Sequence, residues 1–234
     1  MRLVTWNCRV GGFRKKAKHI APFRPDVLTV QEVEPLDSVL IFGGEDQPTF
    51  RDRISDPLYW RRSIGVFSYT GVELASVDAD TPLYGFRRYR AQRNGLVFQV
   101  VAVWTSATKS RQTSYMQAIE GVREHAGWIA QAPTVIMGDF NDNASYRLGH
   151  WPQLLELLQP LRLVSAYHEY FKEPFGSESR PTHFFTGKET SPFHLDYCFV
   201  PQDWAPRISN VHVGTYADWP SVSDHVPVIV DLDL

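Results

Sequence analysis

Cysteine, long apolar runs and an excess of one charge are all scarce in this chain, and each scarcity removes a class of explanation. Two cysteines among 234 residues, Cys8 and Cys198, are too few for a disulfide scaffold, and their apolar or aromatic surroundings make buried free thiols the expectation. No apolar run approaches the ~20 residues that cross a bilayer. The opening MRLVTWN also lacks the charged segment, apolar stretch and small-residue cleavage site of a secretion signal. A soluble, cytoplasmic protein with no membrane span is expected. Lys and Arg number 24 against 26 Asp and Glu, a formal net charge of −2. That leaves no long-range field to gather a polyanion, which argues against a dedicated nucleic-acid coat but allows a local basic groove. No internal repeat, low-complexity tract or long linker interrupts the sequence, and nothing points to a protein partner.

What is present suits a sizeable core. With 43% hydrophobic and 13% aromatic residues, the chain reads as a single domain over residues 1–234. Short β-prone segments at 3 to 6 and 26 to 30 close on the polar Asn7 and Glu32, with a short helix between them at 14 to 23 stopped by Pro22 and Pro25. Further strands are expected at 64 to 69, 71 to 77 and 96 to 104, spaced as antiparallel meanders. Residues 114 to 131 form the clearest helix, because Tyr115, Ile119, Val122, Ala126 and Ile129 recur at three- and four-residue intervals. A buried strand at 134 to 137 runs into Gly138-Asp139-Phe140-Asn141, a helix follows at 152 to 158, and strands are expected at 163 to 167, 182 to 185, 195 to 200, 208 to 213 and 226 to 232. The segment 172 to 181, rich in Glu, Ser, Pro and Gly, is the expected mobile loop. Strands mixed with a few helices suggest a layered α/β architecture with sheets in the middle and helices outside.

Placed on this map, Asn7, Glu32, Asp139, Asn141, Asp196, Asp224 and His225 all fall at or beside the ends of apolar strands. A common rim is one reading. Each residue alone has a plainer one: Glu32 as a surface partner of Arg14, Lys15 or Lys16, Asp139 and Asn141 as a turn after a buried strand, Asp224 and His225 as a capped turn. In an extended segment Asp139 and Asn141 leave on one side while Phe140 enters the core. Asp224 and His225 would point to opposite sides, which makes Asp196 a candidate partner for His225.

Five segments, LVTWN (3 to 7), PDVLTVQE (25 to 32), GDFN (138 to 141), HLDYCFV (194 to 200) and SDHVPV (223 to 228), resemble in order the motifs of the endonuclease/exonuclease/phosphatase superfamily. The resemblance spans almost the whole chain. It implies a four-layer α/β/β/α sandwich of two packed mixed β-sheets flanked by helices, and metal-assisted attack of water on phosphorus. Such chemistry must neutralise anionic oxygens, supply a deprotonated nucleophile and help the leaving oxygen depart. By resemblance, Glu32, Asn7 and Asp224 hold Mg²⁺, with Mn²⁺ able to substitute, and oxygen donors suit such hard cations. Asp139 positions or deprotonates the water, Asn141 donates to the phosphoryl oxygen, and Asp196 orients His225 against the phosphate. One departure stands out: many nuclease members end the central strand with His or Tyr, where this chain has Trp104. His183, His194 and Tyr115 are the candidates to replace that group in helping the leaving oxygen depart, and a metal-bound water is the alternative source of the proton.

Arg87, Arg88, Arg90 and Arg93 lie among Tyr84, Phe86 and Tyr89, a mixture that grips phosphates and stacks on bases, and Trp60-Arg61-Arg62 repeats it in small. A solvated hairpin edge is the competing reading of the first segment. Neither contains a base-reading motif, so DNA or RNA would be contacted through backbone and shape. The leading expectation is a Mg²⁺-dependent, nuclease-like phosphodiesterase. The alternatives are a phosphatase or phosphodiesterase of small or lipid-derived phosphates, and a noncatalytic binding module with the same fold.

Overall fold

Runs such as Leu3-Val4-Thr5-Trp6 and Val100-Val101-Ala102-Val103 have no charged face, so their strands need cover on both sides. The computed structural model describes residues 1–34, 49–55, 63–68, 71–77, 85–106, 114–145, 150–219 and 221–234, and it meets that need with two stacked sheets between helices. In chain order the elements are β1 (Arg2–Asn7), α1 (Phe13–Ile20), β2 (Val27–Val33), β3 (Thr49–Ser55), β4 (Ser63–Ser68), β5 (Glu73–Ser76), β6 (Phe86–Arg93), β7 (Leu96–Trp104) and α2 (Ser114–Ile129). There follow β8 (Thr134–Asp139), α3 (Trp151–Leu158), β9 (Leu163–Ser165), α4 (Ala166–Phe171), β10 (His183–Phe184), β11 (Pro192–Phe193), β12 (Asp196–Pro201), β13 (Ile208–Val213) and β14 (Val228–Leu232). The first sheet has the order β13-β14-β1-β2-β4-β3, the second β5-β6-β7-β8-β12-β9, and β10 with β11 forms a small hairpin. Among the described strands each large sheet has one parallel pair, β1 with β2 and β7 with β8, and each crossover carries a helix, α1 or α2. This is the four-layer α/β/β/α sandwich that the motifs imply.

Three apolar layers hold it together. Phe13, Ala17 and Ile20 of α1 pack with Val4, Trp6, Leu28 and Val30 on the outer face of the first sheet. Ala118, Ile119 and Val122 of α2 and Trp151, Leu154 and Leu158 of α3 cover Val101, Val103 and Ile136 of the second. Between the sheets lie Leu3, Val27, Val100, Val135, Met137, Cys198 and Val200. Each fully buried Val, Leu or Phe contributes about 1.5–3 kcal/mol. Both cysteines are buried and free, as expected. The carboxylate of Glu34 accepts the N–H groups of Phe13 and Arg14 at 2.7 and 3.1 Å, and so caps the first turn of α1.

The inner layer changes character along its strands. Side chains alternate, so Leu3, Thr5 and Asn7 share a face on β1, as do Val27, Thr29 and Gln31 on β2, Val135, Met137 and Asp139 on β8, and Val200, Cys198 and Asp196 on β12. Each row begins apolar and ends polar at the same edge of the sandwich. Midway, Thr29 donates to Thr5 at 2.9 Å and the Gln31 amide to Thr5 at 3.1 Å, so the buried polar atoms satisfy one another.

Several expectations need correction. The strand expected at 163 to 167 stops at Ser165, where α4 begins; Ser165 occupies the N-cap position with its hydroxyl 2.8 Å from the His168 ring, three residues on. β3 forms where no strand was expected. The arginine-rich segment is no hairpin edge, because β6 lies between β5 and β7. Arg87 is buried, Arg88 sits over the Trp128 ring at 5.3 Å, and Arg93 pairs with Asp26 at 3.4 Å. The 172 to 181 segment is tied down: Glu173 accepts from the Tyr167 hydroxyl at 2.5 Å and the Ser179 N–H at 2.8 Å, and Glu178 from the Gly176 N–H at 3.0 Å. Tyr84 and Trp60-Arg61-Arg62 lie outside the described residues. Among the described residues no helix is long and apolar enough to cross a membrane.

Candidate active site

Three local devices bring the polar row ends together. Asn7 pairs with Gln31 across the parallel β1–β2 ladder, and Asp139 stands opposite Asp196 in the antiparallel β8–β12 ladder. Glu32, one residue past Gln31, would face away from this row in a regular strand. A register shift between Val30 and Val33, with Glu32 itself at φ 58°, forms a bulge that re-aims the carboxylate. Gly138 precedes Asp139 because any Cβ there would run into the Val103 carbonyl of the neighbouring strand.

Asp139 is the hub. Its Oδ2 accepts from the Asn7 amide at 2.9 Å and the Asn141 amide at 2.9 Å, and its Oδ1 accepts the Asn141 N–H at 2.9 Å. The Asn7 amide also donates to Glu32 Oε1 at 3.3 Å, so one –NH₂ group bridges two carboxylates, while Asn7 Oδ1 accepts the Arg9 N–H at 2.9 Å. Glu32 Oε2 accepts the Val10 N–H at 2.7 Å. Asn141 is not extended but left-handed, at φ 48°, so the turn reading and the shared face hold together here. Its second N–H goes to the Thr105 carbonyl at 2.7 Å; both amide hydrogens are thus engaged, and Asn141 can donate to a phosphoryl oxygen only by releasing one.

His225 faces Asp139 from the other side. Its Nδ1 is 2.8 Å from Asp196 Oδ2, and its Nε2 is 4.0 Å from Asp139 Oδ2, too long for a hydrogen bond. Two hydroxyls fix the segment ends: Ser223 donates to the Asn7 carbonyl at 2.8 Å and accepts the His225 N–H at 3.1 Å, and Thr182 accepts the N–H groups of Leu195 and Asp196 at 2.9 and 3.0 Å. Asp196 Oδ1 is buried with no hydrogen-bond partner among the described residues.

Burial dominates the electrostatics. It raises the Asp139 carboxyl to about 7, against the pull of the His225 charge, with the Asp196 charge adding to the rise. For His225 burial works the other way, but the charges of Asp196 and Asp139 outweigh it and raise the imidazole to about 10. His183, whose ring lies 4.4 Å from that of His225, is lowered to about 3 by burial and by the His225 charge. Burial and charge thus push these two neighbouring imidazoles in opposite directions.

These groups open on a cleft of about 560 Å³ lined by Glu32, Asp139, Asn141, Asp224 and His225, together with Arg9, Val10, His183 and Phe185. Asp224 lines the same cleft as Glu32. It pairs with Arg9 at 3.3 Å and groups with His183 and His225, their donor atoms within 4.8 Å of one another; Asp139, Asp196 and His225 form a second such group. Glu32, Asp139 and Asp224 line the cleft and offer a hard divalent cation carboxylate oxygens, the donor type it prefers, while Asn7 turns its –NH₂ to Glu32 and Asp139 and its Oδ1 to the Arg9 N–H; the unpartnered Asp196 Oδ1 adds negative charge, so the residues fit such an ion. None of Trp104, Tyr115, His194 or the β6 arginines lines the cleft. Trp104 is buried in the inner layer, Tyr115 packs on His150, and His194 is held by the Arg180 carbonyl at 2.8 Å. Of the three candidate replacements for a strand-end His or Tyr, only His183 is at the site.

The sequence reading missed Arg9, Ser223, Thr182 and Thr105. A signal existed for two: Arg9 is two residues beyond Asn7, and Ser223 two before His225. Backbone strain also marks the region, since five of the nine described non-glycine residues with positive φ, namely Arg9, Val10, Glu32, Asn141 and Thr186, line the cleft.

Comparison with known proteins bears on the fold and the family. No curated protein sequence matches the chain. Among solved structures, an AP endonuclease from Archaeoglobus fulgidus superposes with a TM-score of 0.70 at 13% identity, covering 100% of both chains. The endonuclease domain of TRAS1, a telomere-specific non-LTR retrotransposon, gives 0.69 at 14% identity over 99% of this chain and 97% of that one. A variant of the 3′ phosphatase NExo from Neisseria, bound to product DNA hairpin, gives 0.65 at 16% identity over 100% of both. Likeness at such identity speaks for the fold. The family itself is identified by sequence, because the model of the Endonuclease/Exonuclease/phosphatase family matches residues 4–225, and the chain belongs to that family of metal-dependent phosphoesterases.

Proposed function

We propose that this protein cleaves phosphodiesters of nucleic acid by activated water, with residues 1–234 acting as one domain. The observation that supports this most is the Asp139 carboxylate, fully buried, held by Asn7 and Asn141, and facing an imidazole whose other nitrogen is bound to Asp196. A general base works best near its operating pH, and Asp139 is poised at about 7. A hard divalent cation, Mg²⁺ with Mn²⁺ able to replace it, would be held by Glu32, Asn7 and Asp224, and when bound it neutralises phosphate charge and acidifies water.

Asp139 takes a proton from the attacking water as its oxygen bonds to phosphorus. The protonated His225 presents Nε2 to a phosphoryl oxygen, and Asp196 fixes the ring so that this nitrogen, not Nδ1, faces the cleft. Asn141 keeps Asp139 oriented and adds a donor when it lets go of one acceptor. The P–O ester bond then breaks, and the leaving oxygen takes a proton from cleft water, since Trp104, although paired with Asp139 in the β7–β8 ladder, does not line the cleft and is no proton donor.

Hydrolysis of single-stranded DNA, duplex DNA, RNA and small phosphate esters, each with EDTA, Mg²⁺ or Mn²⁺, tests the proposal. Cation-dependent cleavage of at least one nucleic acid is the expected result. Turnover of small esters alone would leave the phosphatase reading in its place, and no turnover at all would leave the noncatalytic one.

A further inference from the structure

Among the described residues, large apolar side chains are exposed at Val10, Val97, Tyr170, Phe185 and Leu234, and two of these, Val10 and Phe185, border the cleft. Single exposed apolar residues are ordinary. What sets these two apart is how firmly they are held out. Phe185 is 58% exposed, yet its N–H donates to the Ser191 carbonyl at 2.9 Å and its carbonyl accepts the Lys188 N–H at 3.2 Å. Thr186 beside it takes a left-handed φ of 56°, and the Gly187 carbonyl accepts the Tyr216 hydroxyl at 2.9 Å. The turn is thus anchored at three points of its backbone. Val10 is β-branched and still left-handed, at φ 55°, with its N–H on Glu32. A backbone strained to keep apolar side chains in water beside carboxylates and imidazoles implies a ligand that covers them.

The chemistry of that ligand follows from the neighbours. The Phe185 ring is 6.3 Å from His183, which in turn touches His225, so an aromatic face stands one imidazole away from the group proposed to meet the phosphate. A volume of about 560 Å³ is that of a pocket for a whole small molecule, well beyond a lone phosphate. We infer that Phe185 is a stacking platform for an unpaired nucleobase adjoining the cleaved phosphate, with Val10 against its sugar, so that single-stranded or frayed nucleic acid is preferred to duplex interior. Bases within a duplex have both faces covered by their neighbours, whereas an unpaired base offers one. Every base has such a face, which agrees with the lack of any base-reading motif. This rests on the phosphodiesterase reading above.

The test measures binding apart from turnover. In an Asp139→Asn background, fluorescence anisotropy compares a labelled single strand, its blunt duplex, and the same strand with abasic positions at its centre. Phe185→Ala is expected to weaken the single strand about tenfold while leaving the duplex and the abasic strand unchanged, and Phe185→Trp to restore affinity. An unchanged single-strand affinity, or equal weakening of all three probes, overturns the inference. If the wild-type protein cleaves phosphodiesters but Phe185→Ala binds normally, stacking fails and the catalytic reading stands. If nothing is cleaved and yet binding depends on Phe185 and on the base, the catalytic reading fails and stacking stands.

Discussion

His225, buried, and His168, largely covered, are both imidazoles set between a carboxylate and a second oxygen, and their surroundings differ. His168 has Nδ1 at 2.8 Å from the Ser165 hydroxyl and Nε2 at 3.2 Å from Glu178, with its ring stacked on Phe175. Asn143 closes that cluster by donating to the His194 carbonyl at 2.8 Å and the Tyr197 hydroxyl at 3.3 Å. His225 uses only Nδ1, and leaves Nε2 pointing past Asp139 into the cleft. The contrast shows that Ser, His and Glu in contact are not in themselves a site. A ring nitrogen left without a hydrogen bond, beside carboxylates that line one cleft, is what sets the proposed catalytic cluster apart from that of His168.

Four experiments sharpen or break this contrast. The largest effect is expected from Asp139→Ala, which should cut turnover by about 10²–10⁴-fold, as loss of a general base does, while circular dichroism reports an intact fold; an unimpaired rate removes Asp139 from water activation. Glu32→Ala should weaken Mn²⁺ binding by about 10–100-fold, the scale on which metal sites respond to loss of a supporting group. Calorimetry reads this directly, and an unchanged affinity takes Glu32 out of the ligand set. At the other cluster, Glu178→Gln should leave kcat alone and cost about 1–3 kcal/mol in denaturant unfolding, since buried donors lose a charged acceptor. A fall in kcat matching that of Asp139→Ala would erase the distinction between the clusters.

The smallest effect concerns pH, where the two clusters should oppose each other. Asp139 and His225 are both raised in the folded protein, so their contribution to stability is fully present below their unfolded values and fades as pH rises through about 7 and about 10. Burial works to raise Glu178, but the bonds from His168 and the Gly176 N–H outweigh it and lower the carboxyl. Its contribution is therefore present above the unfolded value near 4.5 and is lost on acidification. Melting curves of the metal-free protein should show the loss on raising the pH from about 3.8 toward about 7 flattened in Asp139→Asn and the acid loss flattened in Glu178→Gln. The reverse assignment would contradict the geometry.

Strand ends were legible because apolar runs stop abruptly at Asn7, Glu32 and Asp139, and the α2 helix because Ile119, Val122 and Ile129 keep its period. The ordered motifs carried the fold. Long-range contacts were beyond such reading. Nothing in the local sequence says that β6 is flanked on both edges, so its arginines read as an exposed grip. Similarly, the bulge at Glu32 depends on how β2 meets β4, and the Asp224–Arg9 pair joins residues from opposite ends of the chain. Ser165 reads equally well as a strand residue or a helix cap until α4 packs against β12 and β13.

The left-handed residues around the cleft have a consequence for how this protein can change. Each non-glycine residue in that region costs roughly 1–2 kcal/mol relative to right-handed backbone, and five of them sit where the chemistry is expected. Selection for heat resistance alone would therefore move Arg9, Val10 and Thr186 toward glycine or asparagine, gaining stability while altering the rim proposed to meet the substrate. Thermostable variants that keep their activity should instead change Arg24 and Arg162, which are also left-handed but precede β2 and β9 at the opposite end of the sandwich, where relief of the same strain leaves the rim intact.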